Sequence, residues 1–288
     1  MPKSKFVALL ILAMTVGATD TSLATPITVE QEPQTYLYRE IEGQKLKAYV
    51  FRPQGKGNGE KTAAILLFHG GGWHVGSPEW TFNAARRFAA LGLVAISVEY
   101  RLSKGKVTPI EALADTCAAF RWARQQTDIF NIDPSRVAGY GVSAGGHLVA
   151  ASATVSTGDE TDTARPDVLL LWSPALDMES DGWFRKLLGD RGSFLDYSPV
   201  EHAGASTPPT SIVIGDKDTL TPLSGAKRYR DRVIQAGGIC ELNVYPGVGH
   251  LLTRNLANQE RDFDPDPEAS ADGIAQQERF LRDRGFIH

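Results

Sequence analysis

Gly141-Val142-Ser143-Ala144-Gly145-Gly146-His147 is the stretch from which the rest of the chain is read. Residues 136–140 before it read as a short strand, and residues 147–152 open a helix. A serine framed by small residues between strand and helix predicts a nucleophile elbow. The turn is so sharp that only small flanking side chains fit. It lifts the Ser143 hydroxyl above the carboxyl edge of a sheet, where a base and a substrate carbonyl can meet it. Taken alone the motif is moderately specific, because Gly and Ser are common in turns.

A second motif strengthens it. His69-Gly70-Gly71-Gly72-Trp73 follows directly on residues 63–68, an unbroken apolar run of the kind that fills a strand covered on both faces. A glycine triplet leaves the backbone bare, so its N–H groups can approach a ligand closely. Acyl transfer needs such donors where negative charge develops on a carbonyl oxygen. Ala144 supplies a further N–H at the start of the helix after the elbow, where the helix dipole adds to the field.

A serine hydroxyl needs a base, and the base needs an orienting acid. Of the six histidines, His69 begins the glycine loop and reads as structural. His74 is placed to line a pocket, and His147 lies one turn into the helix, pointing away. His202 sits in an irregular segment and His288 ends the chain. His250 remains, in a Gly-rich turn (Pro246-Gly247-Val248-Gly249) after the strand at 240–245. The acid belongs between Ser143 and His250, after the preceding strand at 211–214. Asp216 and Asp218 compete there. Spacing favours Asp218, which is further into the loop, while Asp216 has an alternative role as a turn residue bonding its own backbone.

The remaining pattern sets the scaffold. Residues 36–39 and 46–51 alternate as a hairpin about Gly43, and residues 53–61 read as a Gly-rich surface turn. Helical stretches at 82–91, 109–126, 223–236 and 269–284 interleave with strands at 93–98, 136–140, 168–172, 211–214 and 240–245. Such alternation implies an α/β fold, a mostly parallel sheet with helices on both faces, in a single domain over 25–288. Residues 177–209 and 254–267 break the rhythm, the first with only a short helical piece around 183–188; long irregular segments in a compact domain are often functional loops. Trp73, Trp80 and Trp183 read as core aromatics ahead of pocket walls.

Composition excludes other classes. Hydrophobic residues make up 42% and charged residues 22%, with a net charge of −4 and no basic run. That is globular, with no signature of a nucleic-acid partner. Lys3 and Lys5, the apolar residues 6–18 and Ser22-Leu23-Ala24 predict a signal peptide over residues 1–24, cleaved after Ala24 or, as a second candidate, Ala18. The apolar run falls short of the ~20 residues that span a bilayer. The expected location is therefore periplasmic or extracellular, with no stable membrane insertion once the signal is removed. The two cysteines, Cys117 and Cys240, read as small core residues ahead of a disulfide, and no cluster reads as a metal site.

These motifs together resemble the hormone-sensitive-lipase-like branch of the α/β hydrolases, and within it the compact bacterial acetyl and feruloyl esterases. The pieces that match are His69 to Trp73, Val98-Glu99-Tyr100-Arg101-Leu102, Ile132-Asp133-Pro134-Ser135-Arg136, the elbow through His147, Asp218 with Pro222 behind it, and Gly247-Val248-Gly249-His250. The likeness runs from about residue 35 to the end of the chain. It implies a catalytic triad of Ser143, Asp218 and His250, with oxyanion donors at Gly71, Gly72 and Ala144. The chain departs from the pattern at Val142 and at Glu99, where many relatives carry Asp. It also has only a hairpin where lidded members carry a helical cap, which implies an open pocket and short acyl groups.

The expected activity is hydrolysis of short-acyl, above all acetyl, carboxylic esters through an acyl-enzyme, a scheme that uses no cofactor and no metal. The expected partner is a small-molecule or polysaccharide-linked ester. Two rival readings stand beside it: an amide hydrolase of the arylformamidase or peptidase type on the same apparatus, and a non-catalytic binding protein of the same fold.

Overall fold

The computed structural model describes residues 32–53, 61–155 and 162–288. The signal-peptide reading falls outside the described residues, as does most of the turn at 53–61.

An eight-stranded sheet runs in the order β1-β2-β4-β3-β5-β6-β7-β8. β1 (Gln34–Ile41) and β2 (Gln44–Phe51) form the expected hairpin, and β2 pairs antiparallel with β4 (Val94–Val98). From β4 onward every neighbour is parallel: β3 (Thr62–Phe68), β5 (Ile132–Val142), β6 (Val168–Trp172), β7 (Thr210–Gly215) and β8 (Cys240–Tyr245).

The side-chain alternation of β3 divides the core in two. Ala64, Leu66 and Phe68 face a layer that includes Phe120 and Leu148, from α2 (Pro109–Gln125) and α4 (Ala144–Thr154). Ala63, Ile65 and Leu67 face Phe88 and Phe280, from α1 (Phe82–Ala90) and α8 (Pro267–Asp283). All of β3 is buried, which explains its unbroken apolar run. α2 starts where its sequence says it must: Thr108 accepts from Ile110 N–H, the Glu111 carboxylate reaches back to Thr108, and Pro109 takes the first turn. α3 (Thr127–Phe130) extends it by one turn, and α7 (Leu223–Gln235) leads into β8.

Several expectations need correction. β5 begins at Ile132, earlier than residue 136, because Asp133 gathers Ser135 N–H, Ser135 Oγ and the Arg136 guanidinium into a local network through which the strand passes with a register shift. α4 begins at Ala144 and not at 147, so Gly145 and Gly146 lie inside the helix despite their low propensity. The short helical piece expected within 177–209 is present as α5 (Gly182–Leu188), capped by Asp181, and the segment also holds α6 (Pro199–His202), which the sequence did not mark. Cys117 and Cys240 are both buried in the hydrophobic core, in agreement with their reading as small core residues.

The parallel strands carry their carboxyl ends to one edge. Phe68 pairs with Gly141 there, so the glycine triplet and the elbow leave adjacent strands side by side. That crevice is where open α/β sheets bind ligands.

Candidate active site

The elbow is built by close backbone approach. A Cβ at Gly145 would lie 2.1 Å from the Phe68 carbonyl oxygen, and one at Gly141 would lie 2.4 Å from the Gly145 carbonyl oxygen. Only glycine lets β3, β5 and α4 meet this tightly. Ser143 pivots between strand and helix at φ 53°, ψ −117°, a conformation that costs a non-glycine residue about 1–3 kcal/mol. Its N–H is held by the Trp172 carbonyl at 2.9 Å, and its own carbonyl accepts from His147 and Ala175 N–H.

His250 arrives from the turn after β8. Its Nε2 lies 3.0 Å from Ser143 Oγ, and its Nδ1 lies 2.9 Å from Asp218 Oδ2. Asp218 is buried and well supplied with donors. Its Oδ1 accepts from Leu220 N–H at 3.0 Å and Thr221 N–H at 2.9 Å, and the Thr221 hydroxyl is 2.8 Å from Oδ2. These donors fix the carboxylate in place against the imidazole. With the carboxylate accepting at Nδ1, the neutral imidazole carries its proton there and leaves Nε2 free to accept from the serine. Leu251 and Leu252, directly after the histidine, both sit in the left-handed region at φ 54° and 59°. The Ser173 hydroxyl oxygen accepts from Leu251 N–H at 3.1 Å and holds this turn.

Asp216, the competitor, does something else. It accepts from Gly247 N–H at 2.7 Å and pairs with Lys217 at 3.2 Å on the exposed side of the loop. The Gly247 N–H, foremost, holds its carboxyl below the usual range. It staples the turn after β7 to the turn after β8 and does not touch the imidazole.

The glycine triplet is fixed from below and from the side. The Tyr100 hydroxyl donates to the His69 carbonyl at 2.9 Å, and the two rings stack with centroids 4.3 Å apart. Arg101 is locked by the buried Asp115 through Nε at 2.8 Å and Nη2 at 2.9 Å. Thus the Tyr100-Arg101 phrase anchors the loop after β3. Gly71 and Gly72 take positive φ, 106° and 57°. Among the described residues no protein acceptor takes the N–H of Gly71, Gly72 or Ala144. Ala144 N–H, at the first turn of α4, has no intrahelical partner.

Two clefts meet at Ser143. One, of about 470 Å³, is walled by apolar side chains, among them Val75, Trp80, Val142, Leu251 and Phe263. The other, of about 650 Å³, is bordered by Ala144, Ser180, Asp181, Trp183 and Arg261. Gly72 and Glu260 border both.

The fold around these clefts matches known proteins. The family described as alpha/beta hydrolase fold matches residues 65–196, from β3 through the elbow into the segment after β6. Esterase 2 of Thermogutta terrifontis, in a structure phosphoramylated by tabun, superposes with a TM-score of 0.78 at 28% identity, covering 89% of this chain and 96% of that one. The chain has the α/β-hydrolase fold. The chain is also similar to Esterase LipC of Mycobacterium tuberculosis, 26% identical over 66% of the chain and 53% of that protein. With an acetylxylan esterase of Xylanibacter ruminicola it shares 29% identity, over 65% of the chain and 40% of that protein. The chain thus spans about half the length of the curated relatives it matches.

Several side chains fall elsewhere than the sequence suggests. Trp73 is core, donating from Nε1 to His147 Nδ1 at 3.2 Å. Trp80 and Trp183 are not core: they are 62% and 42% exposed and form cleft walls. His74 lines neither cleft; its Nδ1 donates to the Ser103 carbonyl at 2.6 Å. His69, besides supporting the loop, borders the apolar cleft. Thr221, Ser173 and Gln259, which the sequence did not single out, all contact the central groups or the turn that carries them. Thr221 was the one within reach, since a hydroxyl three positions after a buried Asp is a common local partner.

Proposed function

We propose that this chain is a serine carboxylesterase that hydrolyses short-acyl esters, acetyl esters foremost. The observation that carries the reading is the continuous relay from Ser143 Oγ through His250 to Asp218, at 3.0 and 2.9 Å, in a cleft beside a glycine triplet whose Gly71 and Gly72 N–H groups meet no protein acceptor among the described residues.

Ser143 Oγ attacks the ester carbonyl carbon and His250 Nε2 takes its proton. Asp218 holds Nδ1–H in place and stabilises the imidazolium. The carbonyl π electrons move onto oxygen, where the N–H groups of Gly71, Gly72 and Ala144 receive the charge. Collapse of the tetrahedral adduct breaks the bond to the alcohol oxygen, which leaves with the proton from Nε2. Water then gives a proton to Nε2 and attacks the acyl carbon; the second adduct collapses, the bond to Ser143 Oγ breaks, and Oγ takes the proton back from Nε2, which releases the carboxylic acid and restores the resting state. No step calls on a cofactor or metal.

The apolar cleft of about 470 Å³ suits a small acyl group, and the cleft bordered by Ser180, Asp181 and Arg261 suits a hydroxyl-bearing alcohol. The acetylxylan esterase among the relatives supports an acetylated polyol on that side. Residues 1–24 act as a signal peptide in this reading and send the enzyme out of the cytoplasm; the mature protein recovered from producing cells then begins at Thr25.

The deciding experiment follows hydrolysis of p-nitrophenyl acetate, butyrate and octanoate by the wild type and by Ser143→Ala. Rates that fall with chain length and drop on the order of 10⁴-fold or more in the variant agree with the reading. Wild-type rates equal to the variant's on every ester refute it, and turnover of aryl amides instead transfers the apparatus to amide hydrolysis.

A further inference from the structure

Gln259 lies in the polar segment before α8, distant in sequence from Ser143 and Asp218, yet it is only 5% exposed. Its amide makes a three-way contact. Oε1 accepts from His250 N–H at 2.8 Å and from Thr219 N–H at 3.2 Å, and Nε2 donates to the Lys217 carbonyl at 2.9 Å. One planar group therefore binds the backbone of the base and the residues on either side of the acid. An amide oxygen accepts two hydrogen bonds, and both are used here.

Gly249 gives a second, independent sign that this contact is built in. A Cβ at Gly249 would lie 2.5 Å from both Cδ and Oε1 of Gln259. The glycine before the histidine makes room for the amide. Lys217 N–H also bonds the Val248 carbonyl, at 3.0 Å, which joins the two turns at their base. Gln259 acts further out, on His250 itself.

We propose that Gln259 is a positioning residue that sets the spacing between Asp218 and His250. The proposal rests on the triad reading above. Its leverage follows from geometry: a misplacement of ~1 Å in a reacting group costs on the order of 10²-fold in rate. A carboxylate that withdraws from an imidazolium also stops favouring the charged ring. Glu260 and Arg261, which follow Gln259 and border the cleft, and the Asp216–Lys217 pair on the loop after β7 are charges near these turns and stay unchanged in the variants below.

The test uses Gln259→Met, which keeps the shape and removes every hydrogen bond, and Gln259→Glu, which keeps both acceptor positions and adds a negative charge. For Gln259→Met, kcat on p-nitrophenyl acetate falls about tenfold or more while KM stays within about twofold. The acid limb of its kcat/KM profile moves to lower pH, because the carboxylate has withdrawn. In Gln259→Glu the same limb moves to higher pH, because the new charge stabilises the imidazolium. A residue that merely supports the fold lowers the melting temperature and moves neither limb; folded variants with wild-type kcat and wild-type limbs overturn the proposal.

The downfield proton resonance of His250 Nδ1–H reads the same spacing without turnover. It shifts or vanishes in Gln259→Met if the clamp exists, and its persistence at the wild-type position overturns the clamp. Should the wild type hydrolyse no ester while this resonance still depends on Gln259, the esterase reading fails and the clamp stands.

Discussion

The indole Nε1 of Trp183 donates to the carbonyl oxygen of Gly72 at 2.9 Å, joining α5 to the glycine triplet across 111 positions of sequence. This bond turns the Gly72 peptide so that its oxygen is occupied from the α5 side. The indole is also one wall of the cleft beside Ala144. Trp183→Phe keeps the wall and removes the donor. A neutral hydrogen bond is worth roughly 0.5–1.5 kcal/mol, so kcat/KM for an acetyl ester falls about 2–10-fold. Steady-state kinetics on the folded variant checks it; an unchanged kcat/KM means that the loop holds its shape without Trp183.

The two aspartates of the loop after β7 separate by their partners. Asp218→Asn leaves the shape intact but lets an amide N–H face the imidazole and favours the wrong tautomer, so kcat falls on the order of 10³–10⁴-fold. Asp216→Asn loses charge on a group that bonds only Gly247 N–H and Lys217, and kcat stays within about twofold. Comparable losses in the two variants would mean that the assignment of the acid is wrong.

What the sequence made legible, and what it did not, follows from the range of the interactions. β3 and β6 are readable because each is an apolar run bounded by breakers, and the elbow is readable because its glycines are demanded by contacts as near as Gly141 to Gly145. The end of β3 at the glycine triplet and the end of β5 at Ser143 are local signals too. Trp183 and Gln259 escape such reading because their partners are backbone groups distant in sequence, and nothing in the residues around them marks which carbonyl or N–H they will meet. Pro134 hid the start of β5, since a proline ordinarily ends a strand. Trp80 misled for a different reason: a large aromatic reads as core unless one knows that the sheet edge above it is left open.

Two buried histidines outside the relay make stability depend on pH. Burial pushes His69 and His147 down to about 4 from the ordinary value of 6.5. Burial keeps His147 neutral, and its bonds set the tautomer: Nδ1 accepts from Trp73 Nε1, so the ring proton is on Nε2 and donates to the Tyr197 carbonyl at 2.9 Å. A second proton would have to enter against the indole N–H. In the unfolded chain both rings take up a proton near pH 6.5, but in the folded protein only near 4. The unfolded state thus binds more protons throughout that window, and stability falls as pH drops from about 6.5 to about 4, by a few kcal/mol for each ring at the lower end. Above pH 6.5 neither ring contributes to the slope. Urea melts at a series of pH values test this. His147→Gln flattens the dependence between pH 6.5 and 4, and an equally steep dependence in that variant excludes His147 as its source.

Gly249 offers a way to disturb the base without touching any polar group of the site. Its φ of −97° lies outside the left-handed region, so alanine meets no backbone penalty of that kind. The methyl group would nevertheless sit 2.5 Å from Gln259 Cδ and Oε1. The side chain must swing away, leaving the N–H groups of His250 and Thr219 and the Lys217 carbonyl without their partner. Gly249→Ala therefore reproduces the kinetic signature of Gln259→Met: a kcat about tenfold lower or more with little change in KM. Because both changes break the same contact, the double variant is no slower than the slower single variant. Independent effects would add in free energy and multiply in rate. A double-mutant cycle on kcat distinguishes the two cases, and multiplicative losses would show that the methyl group acts on His250 by a route other than Gln259.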